Sequence, residues 1–252
     1  IGALGPGDIM EPIVTADGIY YSLDGHALAA PGQPIQPLFF ADVSVSGWSV
    51  RSVVFKGGSY ETLTDFDPVI ASPRNDYMTE TMESALDGAG WYPRSPLGVQ
   101  HTITESSLVV QLGQYDPLAE ETRLYSTLDF DLYYSLSTDQ RPPTVTVATA
   151  LYNANTSQIT LKVGAIDDAG VTRVLANYTI GTGEWHSIEL VFDATTFKWR
   201  GSFTGDLETR YFIQAVDGSG NVALVNNKGR YLTPVADTMS EQHFVYLPLV
   251  LR

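Results

Sequence analysis

Residues Thr122–Leu136 alternate without interruption, and that pattern constrains the chain more than any other feature. Leu124, Ser126, Leu128, Phe130, Leu132, Tyr134 and Leu136 fall on one side, and Tyr125, Thr127, Asp129, Asp131, Tyr133 and Ser135 on the other. A period of two marks a half-buried strand in a mostly antiparallel sheet. The surrounding sequence predicts more of the same. Val, Ile, Thr and 14 Tyr favour pleated, half-buried surfaces, and 22 Gly with 14 Pro supply tight turns.

Residues 1–34 carry Gly5-Pro6-Gly7, Asp24-Gly25 and Pro31-Gly32 and one strand-like piece, Gly18–Leu23. Strands are expected at Pro37–Val45, Trp48–Lys56 and Ser107–Gly113. Gly57-Gly58-Ser59 reads as a turn after which Tyr60–Leu63 folds back as a hairpin. Asn75–Leu86 is the one stretch with helical composition, and Gly88–Gly98 is turn-rich. Ser137–Pro143 reads as a linker, because Pro-Pro interrupts both strand and helix. Beyond it, short apolar runs recur between turn signals such as Asp167-Asp168-Ala169-Gly170 and Asp217-Gly218-Ser219-Gly220. Trp185 and Trp199 are expected in the core between two sheets. The expected fold class is all-β: two tandem β-sandwich domains, residues 1–139 and 140–233, the second immunoglobulin-like. Residues 234–252 are a linker and an apolar C-terminal tail strand.

The formal net charge is −15, with four Lys and no Cys. So acidic a surface repels phosphate backbones and anionic lipid, which argues against nucleic-acid partners. Without cysteine there is no disulfide, thiolate metal site or cysteine nucleophile. No apolar run reaches the roughly 18–20 residues that a membrane-spanning helix needs. The acidity suits an extracellular protein, secreted or attached to a cell surface.

Catalytic constellations are sparse. His26, His101, His186 and His243 are isolated, and no Gly-x-Ser-x-Gly elbow occurs. A non-catalytic protein is therefore expected. Asp129 and Asp131 share a strand face with Tyr125 and Tyr133, which reads either as a solvated outer face or as a glycan-binding face. Asp167, Asp168, Asp217 and Asn221 lie in loops of one expected sandwich and are candidate calcium ligands; the alternative is ordinary turn chemistry. No other cofactor is expected. Phe244, Val245, Tyr246, Leu247, Leu249, Val250 and Leu251 form the tail. It packs back on its own domain, acts as a sorting signal, or donates a strand to a neighbour.

Three resemblances bear on function. Asp167–Val171, Gly183-Glu184-Trp185 and Tyr211–Ala223 resemble Ig-like or fibronectin-like modules that end many large secreted bacterial proteins. Gln114-Tyr115-Asp116-Pro117 and Arg123–Tyr134 resemble the propeptide of gingipain-type secreted peptidases, which implies an accessory β-sandwich domain. Val245–Arg252 is similar to C-terminal ends of exported bacterial proteins, which implies sorting or surface attachment. Three functions follow as expectations. The first is a structural or adhesive protein whose partners are proteins, itself included, in a filament built by strand addition. The second is an accessory region of a secreted peptidase or other hydrolase, and the third is a carbohydrate-binding module.

Overall fold

The computed structural model describes residues 10–72, 90–101 and 106–237, whose regular structure consists of strands apart from one 3-10 turn at Asn227–Gly229. In chain order these are β1 (Met10–Thr15), β2 (Gly18–Leu23), β3 (Ala27–Leu28), β4 (Gln36–Asp42), β5 (Ser49–Leu63), β6 (Leu97–His101), β7 (Ser106–Gln111), β8 (Gly113–Asp116) and β9 (Glu121–Ser135). They continue with β10 (Thr144–Asn153), β11 (Gln158–Ile166), β12 (Val171–Thr179), β13 (Glu184–Glu189), β14 (Val191–Asp193), β15 (Lys198–Thr204), β16 (Arg210–Asp217), β17 (Val222–Val225) and β18 (Val235–Ala236). The expected all-β class is what the chain adopts. Asn75–Leu86 and the tail residues Phe244–Leu251 lie outside the described residues.

Four sheets result. β1-β2 is a hairpin, and β3-β4-β7-β6 form a four-stranded sheet. β14-β15-β11-β10-β18 form a five-stranded sheet. The largest runs β17-β16-β12-β13-β5-β9-β8 and continues across residue 140. β1 and β6 arise in or beside the stretches punctuated by glycine and proline, and Leu232 makes an isolated bridge to Tyr211.

The hairpin expected at Gly57-Gly58 does not form. β5 runs straight through both glycines and pairs with β9 over its whole length. A Cβ on Gly57 would lie 2.6 Å from the Trp185 carbonyl oxygen, and one on Gly58 would meet the Thr127 carbonyl as closely. Here glycine marks close backbone approach rather than a turn.

The pairing of β5 with β9 shifts register between Ser59 and Tyr60, because Ser59 faces Thr127 while Tyr60 faces Tyr125. Ser126 is the extra residue, and a bulge of this kind reverses which face later side chains occupy. Tyr125 consequently joins Leu128, Phe130 and Leu132 in the first core.

That core draws on both sides of residue 140. Phe55, Tyr60, Trp91, Leu108 and Tyr125 pack with Trp185, Phe212 and Tyr231. Trp185 is thus buried, but in this core, whereas Trp199 is half-buried against the second, formed by Ile159, Leu161, Val163, Val174 and Ile213. The seam between β13 and β5 is short: Glu184 faces Ser59, Trp185 faces Gly58, and Tyr60 N–H donates to Gly183 O at 2.7 Å. Beyond it, amide side chains take over. Phe55 N–H donates to Gln214 Oε1 (3.0 Å), while Asn177 Nδ2 (2.9 Å) and Gln214 Nε2 (2.7 Å) donate to Phe55 O. Gln214 Nε2 also reaches Asn177 Oδ1 at 2.7 Å.

Two outcomes are expected. Tryptophan fluorescence and far-UV circular dichroism will report coincident urea transitions; separated transitions would show that the seam does not couple the halves. Asn177→Leu will lower stability by about 1–3 kcal/mol, because it strips buried partners from Phe55 and Gln214.

Candidate functional site

The turns of the second half bring three carboxylates together. Asp139, Asp167 and Asp217 each place an oxygen within 4.8 Å of the other two. Asp217 is 2% exposed. Its Oδ1 accepts from Ser219 N–H and Asn221 N–H, both at 2.8 Å, and Oδ2 accepts from Asn221 Nδ2 at 2.7 Å. Asn221 Nδ2 also lies 3.2 Å from Arg141 O and 3.4 Å from Asp139 O, tying the turn to the linker. Of the expected calcium ligands, Asp167 and Asp217 converge and Asn221 braces them. Asp168 is exposed and outside the group, and Asp139 takes its place. Asp139 was missed because Ser137–Pro143 read as linker. Three carboxylates so close suit an oxygen-seeking cation such as calcium, which takes six to eight oxygens. The hydrogen bonds to Asp217 equally describe a self-braced turn.

The expected Asp/Tyr face is divided. Tyr125 is 1% exposed, because the Ser126 bulge turns it inward. Its hydroxyl donates to Gln114 Oε1 and accepts from Trp185 Nε1 at 3.1 Å. Asp129 and Asp131 lie on the opposite face in an ionic patch, and Tyr133 beside them packs against the buried Val54, Leu175 and Val216. Lys56 Nζ lies 3.9 Å from Asp129 and 3.7 Å from Asp131. Arg173 Nη1 donates to Asp131 (2.7 Å) and to Tyr133 Oη (2.9 Å), and the same guanidinium pairs with Glu189. Both aspartates lie beside cations. His26 and His186 are exposed; His186 lies 3.6 Å from Glu184.

Behind Tyr125 sits a buried cation. Arg123 is 8% exposed, with its guanidinium 3.9 Å from the Trp91 ring centre and 4.6 Å from that of Tyr60. Its Nε and Nη1 have no hydrogen-bond partner. Burial, then the neighbouring Tyr231, hold the Tyr125 phenol well above its ordinary value, against the pull of Arg123. Burial raises Tyr231 and Tyr211 to about 12.

Sequence reasoning passed over one surface. β14 is an edge strand of three residues, and Val191 (74% exposed) and Phe192 stand on it. Phe197, in the turn before β15, is 75% exposed. The Phe192 ring meets Phe197 edge-on at 6.4 Å and Trp199 at 5.4 Å. Clustered aromatic exposure of this kind marks interaction surfaces. The run Leu190-Val191-Phe192, three apolar residues in succession, was the available signal. No helix among the described residues is long and apolar enough to cross a membrane.

No protein-family model matches the chain, and no curated protein matches it. Among solved structures it is similar to gingipain K from Porphyromonas gingivalis, in a study of zymogenic latency, with 15% identity and a TM-score of 0.36, over 51% of this chain and 81% of that one. It is also similar to the complex of RgpB pro- and mature domains from Porphyromonas gingivalis, with 13% identity and a TM-score of 0.35, over 52% of this chain and 76% of that one. These are weak structural similarities.

Asp217→Ala is expected to cost about 2–4 kcal/mol in chemical denaturation, since it leaves three donors without their acceptor. In alkali, the folded chain holds the protons of Tyr125, Tyr211 and Tyr231 more tightly than the unfolded chain, whose phenols titrate near 10. Stability is therefore full below about pH 10 and falls as pH rises towards about 12. A melting temperature that holds level across that window would contradict it.

Proposed function

We propose that the chain is a non-catalytic extracellular module that works by contact with other polypeptides, including copies of itself. The observation that supports this reading is the Val191–Phe192–Phe197 cluster on the β14 edge. An edge strand carries unpaired backbone groups, and natural edges are usually blunted by charge, proline or cover. Here Asp193 is the one acidic side chain on β14, and large apolar groups dominate it. Burying Val and Phe side chains in a contact is worth roughly 1.5–3 kcal/mol each. An extended segment pairing with β14 would gain this and the backbone hydrogen bonds together. The apolar residues Phe244–Leu251 supply a segment of matching chemistry within the same sequence. A contact between one copy's tail and another's edge does not close on itself, so it builds open chains.

Analytical ultracentrifugation and electron microscopy test this. The full chain is expected to associate with rising concentration. Val191→Ser with Phe197→Ser, and separately removal of residues 243–252, are expected to leave monomers with unchanged circular dichroism. A wild-type chain that stays monomeric at high concentration would sink self-assembly, and equal association by all three would sink the β14 assignment.

A further inference from the structure

The two halves of the large sheet do not close along their whole seam. The hydrogen-bond pattern fixes where the open part lies. Tyr60 N–H to Gly183 O makes Tyr60–Gly183 a bonded pair, so the register makes Gly58–Trp185 the next one. Leu190 N–H to Val174 O sets the phase on the other side of β13, so His186 and Ile188 bond towards β12. Ser187 must therefore turn its N–H and C=O towards β5. β5 gives it no ladder partner: the pairing stops at Trp185, and β5 has an extra residue, Lys56, opposite β9. At the far side, Arg173 bridges Glu189 on β13 to Asp131 and Tyr133 on β9. Between the last rung and this clamp lies a groove of about 620 Å³.

The lining sets what can occupy it. Lys56 lies 3.9 Å from Asp129 and 3.7 Å from Asp131, and His186 lies 3.6 Å from Glu184, so donors and acceptors alternate along the lining. Hydroxyls of Ser59 and Thr127 and the Ser187 backbone beyond the last rung add groups that both give and accept hydrogen bonds. The Tyr178 ring completes the wall; it is anchored by stacking on Phe203 at 3.8 Å and neighbours His186 at 5.5 Å. An apolar ligand would strip water from these polar groups without replacing it. A cation would compete with Lys56 for Asp129, and an anion would face the carboxylates of Asp129 and Glu184. A neutral polyhydroxylated ligand meets every group without doing either, and its C–H faces suit an aromatic ring.

We propose that this seam groove is a binding site for a neutral oligosaccharide. It is distinct from the face built on Asp129, Asp131 and Tyr133, taking only Asp129 from it. It does not depend on the polypeptide contact at β14.

The test is isothermal titration of the full chain with linear neutral tetrasaccharides of β-1,4-glucose, α-1,4-glucose, β-1,4-mannose and β-1,4-N-acetylglucosamine. At least one is expected to bind with Kd at or below about 1 mM. Asp129→Ala and His186→Ala, both at exposed side chains, are expected to weaken it at least about tenfold each while the melting temperature stays put. Val191→Ser with Phe197→Ser, on the β14 edge, is expected to leave it unchanged. Failure of all four sugars to bind folded protein overturns the proposal, and so does binding that both groove variants leave intact. Loss of binding only in the β14 variant would move the sugar site to that edge and overturn the groove assignment.

Discussion

The backbone of Phe55 is where the molecule is joined. In an ordinary sheet its N–H and C=O would find a neighbouring strand, but β13 has already turned away. Gln214 and Asn177 stand in for that strand, and their amides are the right size to copy a peptide group. Left unmet, each buried backbone group would cost about 1–3 kcal/mol. Met by side chains that also bond each other, they tie β12 and β16 to β5 across a gap that strand pairing does not close. The same strand bears Tyr60 and the glycines that let Trp185 approach, so the first core inherits its spacing from it.

Arg123 is the second constraint. A guanidinium buried without a carboxylate loses much of its hydration, and cation–π contact of about 2 kcal/mol or more in a desolvated site offsets part of that. Trp91 and Tyr60 provide the faces, while Trp185 lies further off at 5.9 Å. Trp91 is held by its N–H bond to Gly229 O, and Tyr231 bonds Gln114, so loops from opposite ends of the sequence shape one aromatic box. Burial makes Tyr125 and Tyr231 costly to ionise, which is why the fold answers to alkali.

Much of the second half was legible. Its short apolar runs became strands such as β10, β11 and β17, and Asp217–Asn221 became the turn that its Asp, Gly and Asn forecast. The errors share a cause: local patterns carry no record of what lies opposite. Gly57-Gly58 has the composition of a turn and serves as a crossing. The alternation through Thr122–Leu136 is real, yet one bulge at Ser126 places Tyr125 inside while Asp129 stays outside. Asp139 joins Asp167 and Asp217 only because the linker folds back over the turn. Phe192 and Phe197 were passed over because nothing in a sequence says that β14 is the last strand of its sheet.

The division of the first core between distant parts of the chain also sets an order of events in time. A polypeptide is delivered from its N-terminus, and units ordinarily fold as they emerge. Here residues 10–135 contain most of the first core but not Trp185, Phe212 or Tyr231. Until those three arrive, the face that they cover stays wet and Phe55 has no amide partners. The early half of the chain must wait, incompletely closed, for nearly the whole of the late half. Closure across such sequence separation is slow, so the interval before Tyr231 appears is the time when this chain has most need of protection from its neighbours.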